Sequence, residues 1–242
     1  MNIYVTKDYD KMSEMATDIF VKAILEKPNC LLGLATGSTP IGLYHGLVKA
    51  YKEKKIDFSE VRTVNLDEYY PISPENEQSY RYFMNKYLFD RININKANTF
   101  VPDGTAKDPE AFCREYESNI DAMGGIDLQL LGIGQNGHIG FNEPAQNLLV
   151  ADTHLTKLTE NTINANARFF SSVDEVPTHA LTMGIRSIFK ARKVVILATG
   201  RQKAEAVKKM VSGVIDTTCP ATLLCLHPDV TLICDEYAYS LV

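Results

Sequence analysis

Five short stretches of the chain carry side chains able to move protons or hold an anion. The richest is GIGQNGHIGFNEP, residues 132–144, which brings Asn136, His138 and Glu143 close together. An imidazole titrates near neutrality, so it can both take up and return a proton, and a nearby carboxylate can fix its tautomer. The second stretch is VNLDEYYP, 64–71, where Asp67 and Glu68 follow an apolar run. A carboxylate at the carboxyl end of a strand is a candidate general base. Successive side chains of an extended chain point to opposite faces, so at most one of the pair is expected in a cleft.

The other three stretches suit an anion. In LATGSTP, 34–40, a strand is expected to end in a turn of Gly37, Ser38 and Thr39. Pro40 then opens a helix, with Thr39 as its N-cap. Free backbone N–H groups at such a junction attract anions. No G-K-[ST] follows, so this is not a P-loop. ANARFF, 165–170, offers Arg168, and TGRQKA, 199–204, offers Lys203 after another strand–glycine junction.

Gly132, Gly134 and Gly137 also have the spacing of a dinucleotide-binding loop. That loop requires a helix directly after the glycines and an acid about 20 residues on. Gly140 and Pro144 oppose a helix here. The glycines therefore read as shaping a loop for side chains, and no redox cofactor is expected.

The elements that must position these residues follow from apolar patterning. Residues 2–5, 30–35, 61–66, 126–131, 193–198 and 230–234 read as strands, nearly continuous in apolar character, as in a sheet buried on both faces. Residues 8–26, 40–54, 77–90, 108–122, 160–169 and 201–212 read as helices. Such alternation predicts an α/β fold: a doubly wound, mostly parallel, Rossmann-like sheet with helices on both faces and right-handed crossovers, in a single domain. Ligands then bind beyond the carboxyl ends of the strands, at 36–39, 67–70, 132–144 and 199–203.

Composition agrees with a packed enzyme-sized domain: 242 residues, 45% hydrophobic and 23% charged. A net charge of −5 argues against nucleic acid or an anionic membrane as partner. The N-terminus has no basic-then-apolar signal pattern, and no run reaches the roughly 18 apolar residues of a membrane span. The five cysteines, Cys30, Cys113, Cys219, Cys225 and Cys234, form no C-x-x-C pair. They read as reduced thiols of a cytoplasmic protein, with no metal site.

Taken together, LATGSTP, NLDEYY, GIGQNGHIGFNEP, NANARFF and TGRQKA, with CDE at 234–236, resemble the glucosamine-6-phosphate deaminase (isomerase) family over almost the whole chain. The resemblance implies conversion of glucosamine 6-phosphate and water to fructose 6-phosphate and ammonia. By motif position it implies that Asp67 moves a proton from C2 to C1; an aspartate is ionised at pH 7 unless strongly desolvated. His138 opens the sugar ring, with Asn136 and Glu143 as its partners. Gly37, Ser38, Thr39, Arg168 and Lys203 anchor phosphate and sugar, and a lid spans about 151–177. Many members carry aspartate where this chain has Asn136. An amide can orient a group but cannot stabilise an imidazolium by charge. Longer hexameric relatives bind an amino-sugar phosphate allosterically through basic residues after FNEP. Here His154 and Thr156 stand in that stretch and the chain stops at Val242, so a monomer or small homo-oligomer without this activation is expected.

Two rival readings share the fold. A 6-phosphogluconolactonase-like hydrolase needs no base for a C2 hydrogen, so DEYY favours the deaminase. A non-catalytic sugar-phosphate sensor has no use for both Asp67 and His138.

Overall fold

The structure is a computed structural model, and it describes residues 1–160, 162, 163, 167, 170, 172 and 175–242. From the N-terminus run β1 (Asn2–Thr6), α1 (Tyr9–Glu26), β2 (Leu31–Leu34), α2 (Ile41–Lys52), β3 (Arg62–Asn65) and β4 (Asp67–Tyr70). Then come α3 (Tyr80–Tyr87), β5 (Thr99–Phe100), α4 (Pro109–Ala122), β6 (Leu128–Gly132), β7 (His154–Lys157) and β8 (His179–Thr182). The last are α5 (Ile185–Phe189), β9 (Val194–Ala198), α6 (Ala204–Val211) and β10 (Val230–Asp235).

Among the described residues, seven strands form one sheet in the order β1-β10-β9-β6-β2-β3-β5, and every neighbouring pair is parallel. The chain steps one way from β2 to β3 and β5, and the other way from β6 to β9 and β10. With right-handed crossovers, α1 and α2 lie on one face and α4 and α6 on the other. The order reverses between β2 and β6, so the crevice of a doubly wound fold falls at their carboxyl ends. The loops after β9, β6, β2 and β3 all open on that edge, and they are four of the five stretches singled out above.

Why the helices form where they do is local chemistry. Asp8 caps α1, its side chain accepting the Lys11 N–H at 2.9 Å, and Asp108 caps α4 through the Ala111 N–H at 2.9 Å. Along α1 the buried residues Met12, Ala16, Phe20 and Ile24 recur at helical spacing and join the main core, which encloses the central strands.

Six of the expected strands are present with ends shifted by a residue or two. The expected helix 77–90 is shorter. Ser79 caps α3, and a 3₁₀ turn, Phe89–Arg91, follows it. The stretch 201–212 is a 3₁₀ turn, Arg201–Lys203, leading into α6. The expected helix 160–169 falls partly outside the described residues.

The sequence reading lacks a second sheet, antiparallel and three-stranded, in the order β4-β8-β7. DEYY is thus a strand of its own rather than the turn closing β3. Leu66 is the joint between the sheets: its N–H bonds Leu34 of the large sheet at 3.0 Å, and its carbonyl accepts the Met183 N–H beyond β8 at 2.7 Å. A small apolar cluster of Tyr69, Ile72, Phe141, Leu158 and Ala180 supports this sheet. Strand β7 also occupies the first part of the expected 151–177 lid. Thr153 just before it is held by the buried Glu117 through both its N–H, at 3.0 Å, and its hydroxyl, at 2.6 Å. That part is tied to the framework by these bonds.

Candidate active site

The His138 loop is pinned from several sides. The Gly137 N–H closes a turn onto Gly134 at 3.0 Å, and the Gly134 N–H reaches the His138 carbonyl at 2.9 Å. The Gly137 carbonyl accepts the Ala221 N–H at 2.9 Å, and the Asn142 amide donates to Ile139 and Met183 carbonyls at 2.8 and 2.9 Å. The glycines have concrete reasons. A β-carbon on Gly134 would lie 2.5 Å from the His138 ring, and Gly137 (φ 84°) packs against the Cys219 thiol. No helix follows them, so they form no dinucleotide cradle.

Glu143 gathers the loop's polar groups. It accepts from the Asn136 amide at 2.8 Å and from the Thr162 hydroxyl at 2.6 Å. His138 Nδ1 lies 3.3 Å from Glu143 Oε1, the oxygen that also takes the Thr162 hydroxyl. Among the described residues Nδ1 has no well-aligned acceptor, so this is a close approach rather than a formed hydrogen bond. Burial alone would push the Glu143 carboxyl up, but His138, Thr162 and Asn136 outweigh it and hold it at about 2. A carboxylate fixed beside Nδ1 favours the proton on that nitrogen and leaves Nε2 to exchange protons with a ligand. Asn136 is expected to partner His138. The structure instead sets its amide on Glu143, and its carbonyl oxygen meets the His138 backbone N–H at 3.2 Å rather than the ring.

The two adjacent carboxylates divide as an extended chain requires. Glu68 turns inward to α3 and accepts the N–H groups of Tyr69, Tyr80 and Arg81 at 2.8–2.9 Å. Asp67 turns the other way, against Gly140 of the His138 loop: a β-carbon there would be 3.7 Å from Asp67 Oδ2. Asp67 is 7% exposed and, among the described residues, its carboxylate receives no hydrogen bond. Burial, and then the charge of Glu68, push it up to about 8. Glu68 is raised too, to about 7, by burial against its three N–H donors. Of the two, Glu68 has the donors and Arg81, so the first negative charge resides there and Asp67 holds its proton longer. Burial on β4 thus supplies the strong desolvation under which an aspartate is not ionised in the ordinary way.

The anion-binding candidates lie at the same edge. Ser38 and Gly37 are exposed in the turn after β2 and Thr39 is half-buried. Thr39 is not the helix cap: α2 starts at Ile41 with no side-chain cap from its own segment. The Tyr9 hydroxyl of α1 instead accepts the Gly42 N–H at 2.7 Å and donates to the Ser38 carbonyl at 3.3 Å. Across the crevice, Lys203 follows β9 with its side chain half-buried. Among the described residues no carboxylate pairs with it, and burial lowers its pKa. A partly desolvated, unpaired ammonium is suited to an anionic ligand. Gly200 before it is held by Asp235 of the CDE stretch, at 2.9 Å. Arg168 lies outside the described residues. Thr162, Tyr9 and the capping role of Glu68 are absent from the sequence reading, since each contact joins segments distant along the chain.

This is a doubly wound α/β sheet with a histidine–glutamate loop and two glycine turns at its switch point. The chain belongs to the family described as glucosamine-6-phosphate isomerases/6-phosphogluconolactonase, whose sequence profile matches residues 8–233. It is 56% identical over 236 residues to the glucosamine-6-phosphate deaminase of Clostridium beijerinckii, covering 98% of this chain and 97% of that one. It is 55% identical to that of Thermoanaerobacter pseudethanolicus, covering 100% and 95%. A solved structure described as a monomeric glucosamine-6-phosphate deaminase is 44% identical and superposes over 100% of both chains with a TM-score of 0.97.

Proposed function

We infer that this chain is a glucosamine-6-phosphate deaminase, converting glucosamine 6-phosphate and water to fructose 6-phosphate and ammonia. Relatives carrying that name match it along nearly their whole length. The observation that carries the mechanism is Asp67, a buried carboxylate with no donor among the described residues, set against the loop that holds the His138–Glu143 pair.

Each step has a group of suitable chemistry. Ring opening takes a proton from the anomeric hydroxyl and gives one to the ring oxygen. His138 does both halves through Nε2, with Glu143 steadying Nδ1 and Asn136 steadying Glu143. The open chain exposes a C1 aldehyde beside an ammonium at C2, and both acidify the C2 hydrogen. Asp67 removes it, giving an enolamine, and delivers a proton to C1 after partial exchange with solvent. The C2 imine that results adds water and releases ammonia. Aspartate is a weak base in water, and burial strengthens it. The substrate ammonium supplies the opposite charge that favours its ionised form in the complex.

The phosphate end sits on the Gly37–Ser38–Thr39 turn and Lys203, with Arg168 added by motif position. Binding energy there holds the reacting carbons in place. A lid over the sugar, about 151–177, is part of the same reading. The solved relative described as monomeric supports action as a monomer. Five unpaired cysteines support a reducing, cytoplasmic setting, and no helix among the described residues is long and apolar enough to cross a membrane.

The test is incubation of the purified protein with glucosamine 6-phosphate and detection of both ketose phosphate and ammonia. A chain that opens 6-phosphogluconolactone and releases no ammonia would establish the hydrolase reading instead. Sugar-phosphate binding without turnover would establish a sensor.

A further inference from the structure

Thr182 closes β8, is fully buried, and stands directly opposite Asp67 in the antiparallel register of the small sheet. Residues opposed in this way present their side chains on the same face. Its Oγ1 accepts the Phe141 N–H of the His138 loop at 3.1 Å. A β-carbon on Gly140 would lie 3.0 Å from that oxygen and 3.7 Å from Asp67 Oδ2, so hydroxyl, carboxylate and loop backbone converge on one point. The next residue, Met183, takes the Asn142 amide on its carbonyl at 2.9 Å. The end of β8 is thus tied to the acid–base loop while it is paired in register with the base.

We propose that Thr182 is a positioning residue for proton transfer at C2, its hydroxyl locking Gly140 and Phe141 beside the strand that carries Asp67. The proposal rests on the reading of Asp67 as the C2 base. Thr182 touches no reacting atom in this role. It sets the gap between the Asp67 carboxylate and the loop that presents the sugar. Displacing reacting groups by about 1 Å can slow a reaction by about 100-fold. The phosphate anchors lie on other loops, so binding is expected to be spared.

Thr182→Val keeps the shape and removes the acceptor, whereas Thr182→Ser keeps the hydroxyl. With Thr182→Val, kcat for ammonia release is expected to fall about 10- to 100-fold. KM for glucosamine 6-phosphate, and the affinity for the open-chain amino-alditol 6-phosphate, which has no carbonyl and cannot isomerise, are expected to stay near wild type. Thr182→Ser is expected to restore kcat. A residue that only holds the fold together would lower the melting temperature without separating kcat from KM. Should Thr182→Val fail to fold, Gly140→Ala probes the same contact from the loop and is expected to lower kcat with KM retained. Wild-type kcat in Thr182→Val, equal losses in kcat and affinity, or no rescue by serine would overturn the proposal alone. A wild-type chain releasing no ammonia would overturn the functional reading, and this proposal with it.

Discussion

At the scale of single residues, the division of labour between Asp67 and Glu68 sets the pH behaviour. Asp67 is raised to about 8 by burial and then by Glu68, so the folded chain keeps a proton that an unfolded aspartate loses near pH 4. Between those values the native state binds more protons than the unfolded one, and this group's contribution to stability falls as pH rises. Asp67→Asn is therefore expected to gain stability relative to wild type from pH 5 to pH 9, by a few kcal/mol in urea unfolding. A difference that does not change with pH would contradict a buried, proton-holding Asp67. Lys203 is the other residue whose environment predicts an effect. Hydrogen bonds to charged groups contribute roughly 1.5–3 kcal/mol, so Lys203→Ala is expected to raise KM by ~10-fold or more. Steady-state kinetics with an unchanged KM would remove Lys203 from the phosphate site.

At the scale of elements, the small sheet and the glycine loop carry the site, and they differ in how legible they are from sequence. The six apolar strands and the GHIGFNEP loop stand out because a buried parallel strand and a glycine-broken segment have distinctive local patterns. The small sheet does not. DEYY opens with two carboxylates that disfavour strands, HLTK and HALT are only four residues each, and DEYY meets HALT across more than a hundred positions. Separation along the chain, though shorter, also hides Tyr9 as the cap of α2 and Thr162 as a partner of Glu143. Glu68 is legible as a carboxylate but not as a cap. With Ser79 it satisfies the first N–H groups of α3, so Glu68→Ala is expected to destabilise the protein by about 2–4 kcal/mol in chemical unfolding. A loss below that of an ordinary surface substitution would refute the cap. In the loop, Gly134→Ala places a methyl group against the His138 ring, which can swing aside. Folding is expected to survive while kcat falls by about 100-fold, the order of one acid–base contribution; wild-type kcat would show that the ring's resting position is immaterial.

At the scale of the whole molecule, the doubly wound topology gathers groups from separate crossovers at one edge, and each group can then serve its own step. The framework around β7 bears on regulation. His154 turns its Nδ1 to the Asp152 carbonyl at 2.9 Å, and Thr156 is uncharged, so neither of these two positions offers a second phosphate a permanent positive charge. An effector acts only through different affinity for two states. Rate curves are expected to be hyperbolic in glucosamine 6-phosphate, and sigmoidal curves straightened by N-acetylglucosamine 6-phosphate would contradict this. The most direct test concerns the two groups proposed to move protons, Asp67 on β4 and His138 beyond β6. Asp67→Asn keeps size and polarity and removes the base. His138→Gln removes only assistance to ring opening, which water also permits, so residual turnover is expected to rise with the supply of open-chain substrate. The decisive measurement is solvent-deuterium incorporation at C1 of the fructose 6-phosphate formed in heavy water. In Asp67→Asn, product formation and its C1 label are expected to fall by at least ~100-fold while the amino-alditol 6-phosphate still binds. Labelled product at near wild-type rate from Asp67→Asn would show that another group moves the proton.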